Sequence, residues 1–266
     1  MPADVAVSVV VLVGIVALSY VTRRLSTRAL ADTGVSEYAA EFVSTFQLCC
    51  CAHELKVLSE VGRIDPRLAL TFTYLITVIH GFTFNGAIGN PTGVLECAYR
   101  SRLTRGRAFR RIACEFAAAA ASRAAVPLIW GVGLSGIHVR HKLHDFQCIS
   151  PVHAPLPQAA AVEFACAFAV QTVITYTRSI GGRSHVHAVA AIITTVVYAG
   201  GGVTGAVFNP AVAFSTQFPC SGNSFLEYSL VYWLGPIMGM MSSVLLFDKV
   251  QRKSSLHVTK ETKKRT

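Results

Sequence analysis

Charge is scarce in this chain: only 14% of its 266 residues are Asp, Glu, Lys or Arg, while 52% are apolar. A soluble domain carries about a quarter charged residues, so the deficit argues against a freely soluble enzyme or nucleic-acid binder. Also missing are an activated nucleophile, a metal-ligand set and a phosphate-binding glycine loop, which leaves no catalytic chemistry and no cofactor to assign. A usable N-glycosylation sequon is absent as well, because Asn90-Pro91-Thr92 is barred by its proline. The eight cysteines are scattered. Cys49, Cys50 and Cys51 are adjacent, so on a helix they point in different directions and read as packing residues.

Long apolar runs are what the chain has. A helix needs about 20 apolar residues to span a bilayer, and seven segments qualify: roughly 5–22, 36–58, 66–85, 108–132, 158–177, 186–203 and 226–247. The first is not built like a cleaved signal, because its arginines Arg23 and Arg24 follow the apolar run instead of preceding it. It reads as a retained anchor or span. The formal charge of +10 is distributed by topology. Basic clusters fall after segment one (Arg23, Arg24, Arg28), between three and four (Arg100 to Arg111), between five and six (Arg178, Arg183) and in the tail from Lys249. Alternate loops are therefore basic, which places the C-terminus in the cytosol. The basic charge is an orientation signal, not a nucleic-acid patch.

The intervening loops differ. The 54–67 stretch mixes both signs of charge, and 137–157 is rich in histidine. His138, His141 and His144 read there as solvated loop residues without ligand partners; His53 and His80 likewise suggest no metal site. Cys148 and Cys220 both fall on the non-cytosolic side, so a disulfide between them is expected if that side is oxidising.

The chain also repeats itself. Glu41-Phe42 lies 49 residues before Asn90-Pro91, and Glu163-Phe164 lies 46 residues before Asn209-Pro210. Each Glu-Phe segment is followed by an apolar span, a glycine-bearing loop, the Asn-Pro element and a further span. Two three-span halves in one chain lie upside down relative to each other, the inverted-repeat arrangement. Asn is a favoured N-cap and Pro a favoured first helical residue, so short helices are expected at about 91–99 and 210–218. Neither crosses a bilayer, so both must enter and return, with their loops buried in protein or lining a wet cavity. Their positive ends would meet near the midplane, each carrying roughly half an elementary charge. That field repels cations while the asparagine NH₂ groups and loop carbonyls serve neutral solutes. Glu41 and Glu163, ionisable groups inside spans, are expected to anchor the two loops through backbone hydrogen bonds. Glu115 and Arg123 share a face of segment four and receive no role.

With these elements the chain resembles the aquaporin (major intrinsic protein) family, in its divergent unorthodox, or superaquaporin, branch. The resemblance rests on 42–55 (FVSTFQLCCCAHEL), on 198–201 with 209–211 (YAGG and NPA), and on 231–236 (VYWLGP). It implies an all-α membrane protein with a six-span inverted repeat, two re-entrant half-helices and an extra N-terminal hydrophobic helix. The domain boundaries become 1–35 for that segment and its basic linker, 36–248 for the channel core (repeats at about 36–132 and 158–248), and 249–266 for a basic cytosolic tail.

The implied function is passive transport of water and small neutral solutes such as glycerol and hydrogen peroxide, by a homotetramer embedded in lipid, with no enzyme activity. A transport-inactive scaffold on the same fold is the alternative. The pore boxes are Asn90, Pro91, Thr92 and Asn209, Pro210, Ala211. The family's usual arginine after the second box is here Val212, and gapless placement puts the other constriction positions at Ala206, Val197 and Leu70. The resemblance implies a location mainly in the endoplasmic reticulum membrane, with the plasma membrane as the second option. Lys263 and Lys264 stand at the fourth and third places from the end, as in a dilysine retrieval signal.

Overall fold

Several helix starts are written locally in this chain, and the computed structural model shows them at work. It describes residues 2–265, with side chains through Val250 apart from that of Asp32. Lys263 and Lys264 therefore lie outside the described side chains. The elements are α1 (Pro2–Ala29), α2 (Ser36–Glu60), α3 (Pro66–Thr83), α4 (Pro91–Tyr99), α5 (Arg105–Gly131) and α6 (Gly136–Leu143), followed by α7 (Leu156–Thr177), α8 (Gly182–Thr204), α9 (Pro210–Gln217), α10 (Phe225–Ser229) and α11 (Gly235–Arg265). Asp65, Thr104, Ser135 and Ser224 cap α3, α5, α6 and α10 by accepting backbone N–H groups, and Pro66, Pro91 and Pro210 occupy first helical positions. Among the described residues there is no strand, only an isolated bridge between Ile149 and Ser221.

Five helices are long and apolar enough to cross a membrane by length and composition: Pro2–Ala29, Arg105–Gly131, Leu156–Thr177, Gly182–Thr204 and Phe225–Val250. The expected spans at 36–58 and 66–85 form α2 and α3, which are less apolar. They pack into the same bundle, α2 against α1 and α5, α3 against α8. The two halves repeat the same order: α2, α3, half-helix α4 and α5, then α7, α8, half-helix α9 and α10–α11. Between α10 and α11 the chain makes a π-helical turn over Leu230–Leu234. Beyond it Gly235 and Gly239, one turn apart, press against the α7 backbone at Ala160 and Phe164. Small residues at that spacing let two helices approach closely.

Three groups of polar residues lie elsewhere than the sequence suggests. The arginines Arg105, Arg107, Arg110 and Arg111 are not in a loop, because the Thr104 cap starts α5 ahead of them; Arg107 and Arg111 both reach Glu37. Arg23 is not a solvated flanking charge. It is buried between α1 and α2, where Nη1 donates to Ser44 Oγ (3.1 Å) and Nη2 to Gln47 Oε1 (3.0 Å), with the guanidinium 5.9 Å from the Phe84 ring centroid. His138 is not a solvated loop residue either. The first residues of the 137–157 stretch, through Leu143, fold into α6, and His138 is fully buried with Nε2 3.1 Å from Glu54 Oε1.

Glu54 is the hub of that site. It also accepts from Ser8 Oγ (2.6 Å) and Trp130 Nε1 (2.8 Å), so a single carboxylate ties α1, α2, α5 and α6 together. A buried charge is tolerated only when hydrogen-bonded in this way. The outer face of α1 exposes Val10, Val13, Leu18, Val21 and Leu25, an apolar strip that suits lipid. At the same end of the bundle as Glu54, a Cys148–Cys220 disulfide joins the segment before α7 to the one after α9. It is reinforced by Ser221 N donating to Cys148 O (2.9 Å).

The α7–α11 contact yields a prediction. A Cβ at Gly239 would collide with the Phe164 carbonyl, whereas one at Gly131 would meet nothing within 4 Å. Gly239→Ala is expected to destabilise the protein by about 1–3 kcal/mol, and Gly131→Ala to leave it unchanged or slightly more stable, as read by thermal unfolding in detergent.

Candidate conduction path

The two half-helices begin alike. Asn90 Oδ1 accepts from Thr92 N (3.0 Å) and from Thr92 Oγ1 (2.9 Å). Asn209 Oδ1 accepts from Ala211 N (3.0 Å) and Val212 N (3.4 Å). Thr92 therefore does more than fill space: its hydroxyl adds a second donor to the cap, a contribution that its position as a small-residue substitute does not advertise. The residue before each asparagine turns through positive φ, Gly89 at 64° and Phe208 at 37°. Non-glycine residues adopt that region rarely, so Phe208 must be held there by its surroundings.

Buried carboxylates do the holding. Glu41 Oε1 accepts from Ile88 N (2.8 Å) and Gly89 N (2.6 Å). Glu163 accepts from Val207 N on Oε1 (3.0 Å) and Phe208 N on Oε2 (2.6 Å). In each half the two amides are the pair immediately preceding the asparagine. Both glutamates are fully buried. The halves differ in how the charge is balanced: Arg111 Nη1 stands 3.2 Å from Glu41 Oε2, whereas Thr204 Oγ1 donates to Glu163 Oε1 (2.6 Å). Tyr232 then donates to Thr204 O (2.7 Å), fastening this end of α8 to the π-helical turn. Glu115, also fully buried, sits beside Glu41.

The asparagine amides tie the loops to each other. Asn209 Nδ2 donates to Gly89 O (2.8 Å), and Asn90 Nδ2 donates to Phe208 O (3.5 Å). One N–H of each NH₂ is thus engaged by the opposite loop and one remains. Sequence reasoning foresaw amide donors and carbonyl acceptors here, but not that they meet each other.

A cavity of about 670 Å³ runs past this junction. Its wall includes Gly89, Asn90, Thr92, Ala206, Phe208, Asn209 and Val212, with α3, α7 and α8 closing the sides. His185 and Gly201, sixteen residues apart on α8, both line it. At 1.5 Å per residue that is about 24 Å, most of a hydrocarbon core of about 30 Å. Val197, Ala206 and Val212 share this wall, but Leu70 does not. Instead α3 turns Thr73, Ile76, Thr77 and His80 toward the cavity, a stripe at helical spacing, and Leu70 lies nearer the start of the helix. Pro91, Pro210 and Ala211 are buried in the half-helices behind the wall, and Glu41 and Glu163 are buried behind it on α2 and α7. Sequence reasoning missed Lys56, which lines the cavity where α2 ends and donates to Thr216 O and Gln217 Oε1, both at 2.9 Å.

Inverted halves, crossed loops and a cavity running along most of a hydrocarbon core's depth define a membrane channel of the aquaporin architecture. Comparison with known proteins agrees. Residues 129–247 match the family described as Major intrinsic protein. The chain is 37% identical to aquaporin-11 of Equus caballus over 211 residues, covering 79% of this chain and 77% of that protein. It is 33% identical to aquaporin-11 of Homo sapiens over 245 residues, covering 92% and 90% respectively. With aquaporin-12 of Mus musculus it shares 33% identity over 234 residues, covering 86% and 81%. The chain belongs to the major intrinsic protein (aquaporin) family, whose members are channels rather than enzymes.

The anchoring geometry gives a prediction. Glu163→Ala strips two buried backbone N–H groups of their acceptors, at a cost of about 1–3 kcal/mol each. Glu163→Gln keeps one side-chain oxygen and is expected to recover at least half of the lost stability in detergent melts. Equal losses in the two variants would count against the acceptor role.

Proposed function

We propose that the protein passes water and small neutral solutes, glycerol and hydrogen peroxide among them, along this cavity. The observation that carries the reading is the cavity wall beside the second half-helix, to which Val197, Ala206 and Val212 contribute no fixed charge, with Phe208 the aromatic packed beside Val197 and Ala206. A wall of this kind guides water less strongly than one bearing a guanidinium and leaves room for larger neutral molecules. The same residues are proposed as the constriction, with Asn90 and Asn209 as the central donors; Thr73 and Thr77 take the α3 position in place of Leu70. Both helix N-termini point at the junction, so cations meet a repulsive field there.

The core is proposed as residues 36–248, assembled as a homotetramer, with the basic tail in the cytosol and the protein resident in an intracellular membrane, chiefly the endoplasmic reticulum. The disulfide between two segments assigned to the non-cytosolic side fits an oxidising lumen.

Purified protein in liposomes tests the reading, with water, glycerol and hydrogen peroxide each followed by a rapid flux assay. Wild type should carry glycerol and peroxide above empty vesicles, and Val212→Arg should cut glycerol flux about tenfold while water flux holds or rises. No flux of any solute from verified folded tetramers would favour the scaffold alternative. Unchanged selectivity in Val212→Arg would refute the constriction.

A further inference from the structure

The cavity wall is almost free of charge. Apart from the buried thiol of Cys51 and the histidines His80 and His185, the ionisable side chains that line it among the described residues are Lys56 and Glu60, one turn apart where α2 ends. Their circumstances differ. The Glu60 side chain is 54% exposed, whereas that of Lys56 is 18% exposed and is directed into the wall. Lys56 Nζ is seated on the last turn of α9, donating to Thr216 O and Gln217 Oε1 at 2.9 Å each, with Cys148 Sγ at 3.5 Å and Glu60 Oε1 at 4.0 Å.

The seat is favourable to a cation. A helix C-terminus presents unsatisfied carbonyls and the negative end of the helix dipole, and the disulfide at Cys148 and Cys220 braces the segments around it. Thr216 is one turn beyond Val212 and its Oγ1 donates to Val212 O (2.9 Å). The ammonium therefore sits about one helical turn, roughly 5 Å along α9, outward of Val212. A side chain from another helix brings positive charge to the end of the path where Val212 itself supplies none.

We propose that Lys56 is the cation-excluding, specificity-determining residue at this mouth, acting on the solute path through its fixed positive charge. A narrow, low-dielectric passage focuses the field of a single charge at its rim, so a small cation meets the barrier before it reaches the asparagines. Neutral solutes do not, and Glu60, more exposed and 4.0 Å away, offsets the field only in part.

The inference rests on the channel reading, and the experiment separates the two. Proteoliposomes bearing wild type, Lys56→Met, Lys56→Arg and Glu60→Gln are assayed for glycerol efflux and for radiolabelled guanidinium uptake at millimolar concentration. Thermal unfolding of each variant checks its fold. Lys56→Met, similar in length but uncharged, is expected to raise guanidinium uptake about tenfold while glycerol changes less than about twofold. Lys56→Arg should match wild type, and Glu60→Gln should lower guanidinium uptake further. Guanidinium uptake in folded Lys56→Met equal to wild type would overturn the proposal. So would parallel loss of glycerol flux in Lys56→Met and Lys56→Arg, which would make Lys56 a structural clamp. Absence of water, glycerol and hydrogen peroxide flux alike in wild type would instead remove the channel reading itself.

Discussion

Backbone amides taken out of water must find acceptors, and in this protein that requirement governs the centre of the molecule. A re-entrant loop inside a bilayer has neither solvent nor a neighbouring strand to satisfy it. Glu41 and Glu163 supply the acceptors from fully buried positions on α2 and α7, each taking the two amides that precede an asparagine. Other central features follow from that capture. Phe208 can hold a positive φ, the half-helices can start on capped asparagines, and the spare amide of each asparagine can reach the carbonyl of the other loop. The same crossing leaves helix N-termini facing the cavity, so the geometry that satisfies the backbone also sets the field that a solute meets.

The polar interior is otherwise spent on tying helices together. Glu54 gathers donors from α1, α5 and α6, and Arg23 pins α1 to α2 through Ser44 and Gln47. In water such buried charges would compete poorly with hydration; in a bundle surrounded by hydrocarbon, leaving them unpaired costs more than pairing them. The helix that stands outside the repeat is therefore keyed to a specific place on the bundle by polar contacts from Ser8 and Arg23 together with the packing of Leu12, Ile15 and Val16 against α2 and α3, while a second apolar strip faces outward.

Much of the fold was legible because its determinants are local. Asn-Pro and the glycines before it announce a loop turning into a helix, and the bounds expected for the half-helices, 91–99 and 210–218, differ from those observed by at most one residue. The Glu-Phe repeat gave away the inverted halves, since matched spacing survives in the sequence even when the contacts are distant. What could not be read was the fate of individual charges. Arg23, His138 and Lys56 look like flanking or loop residues, and each is decided by partners far along the chain: Lys56 by α9, 160 residues on, and His138 by Glu54, 84 residues away. Leu70 fails for a related reason. Counting back from Asn90 crosses the turn between α3 and the half-helix, and only the structure fixes which face of α3 is presented there.

Hydrogen exchange of individual amides tests the central claim most directly. Ile88, Gly89, Val207 and Phe208 belong to no helix, yet each donates to a buried carboxylate. Their exchange is predicted to be as slow as that of interior helical amides in α2 and α7, and to accelerate at Val207 and Phe208 alone when Glu163 is replaced by alanine. Exchange of all four at the rate of exposed amides without a hydrogen-bond partner would contradict the account.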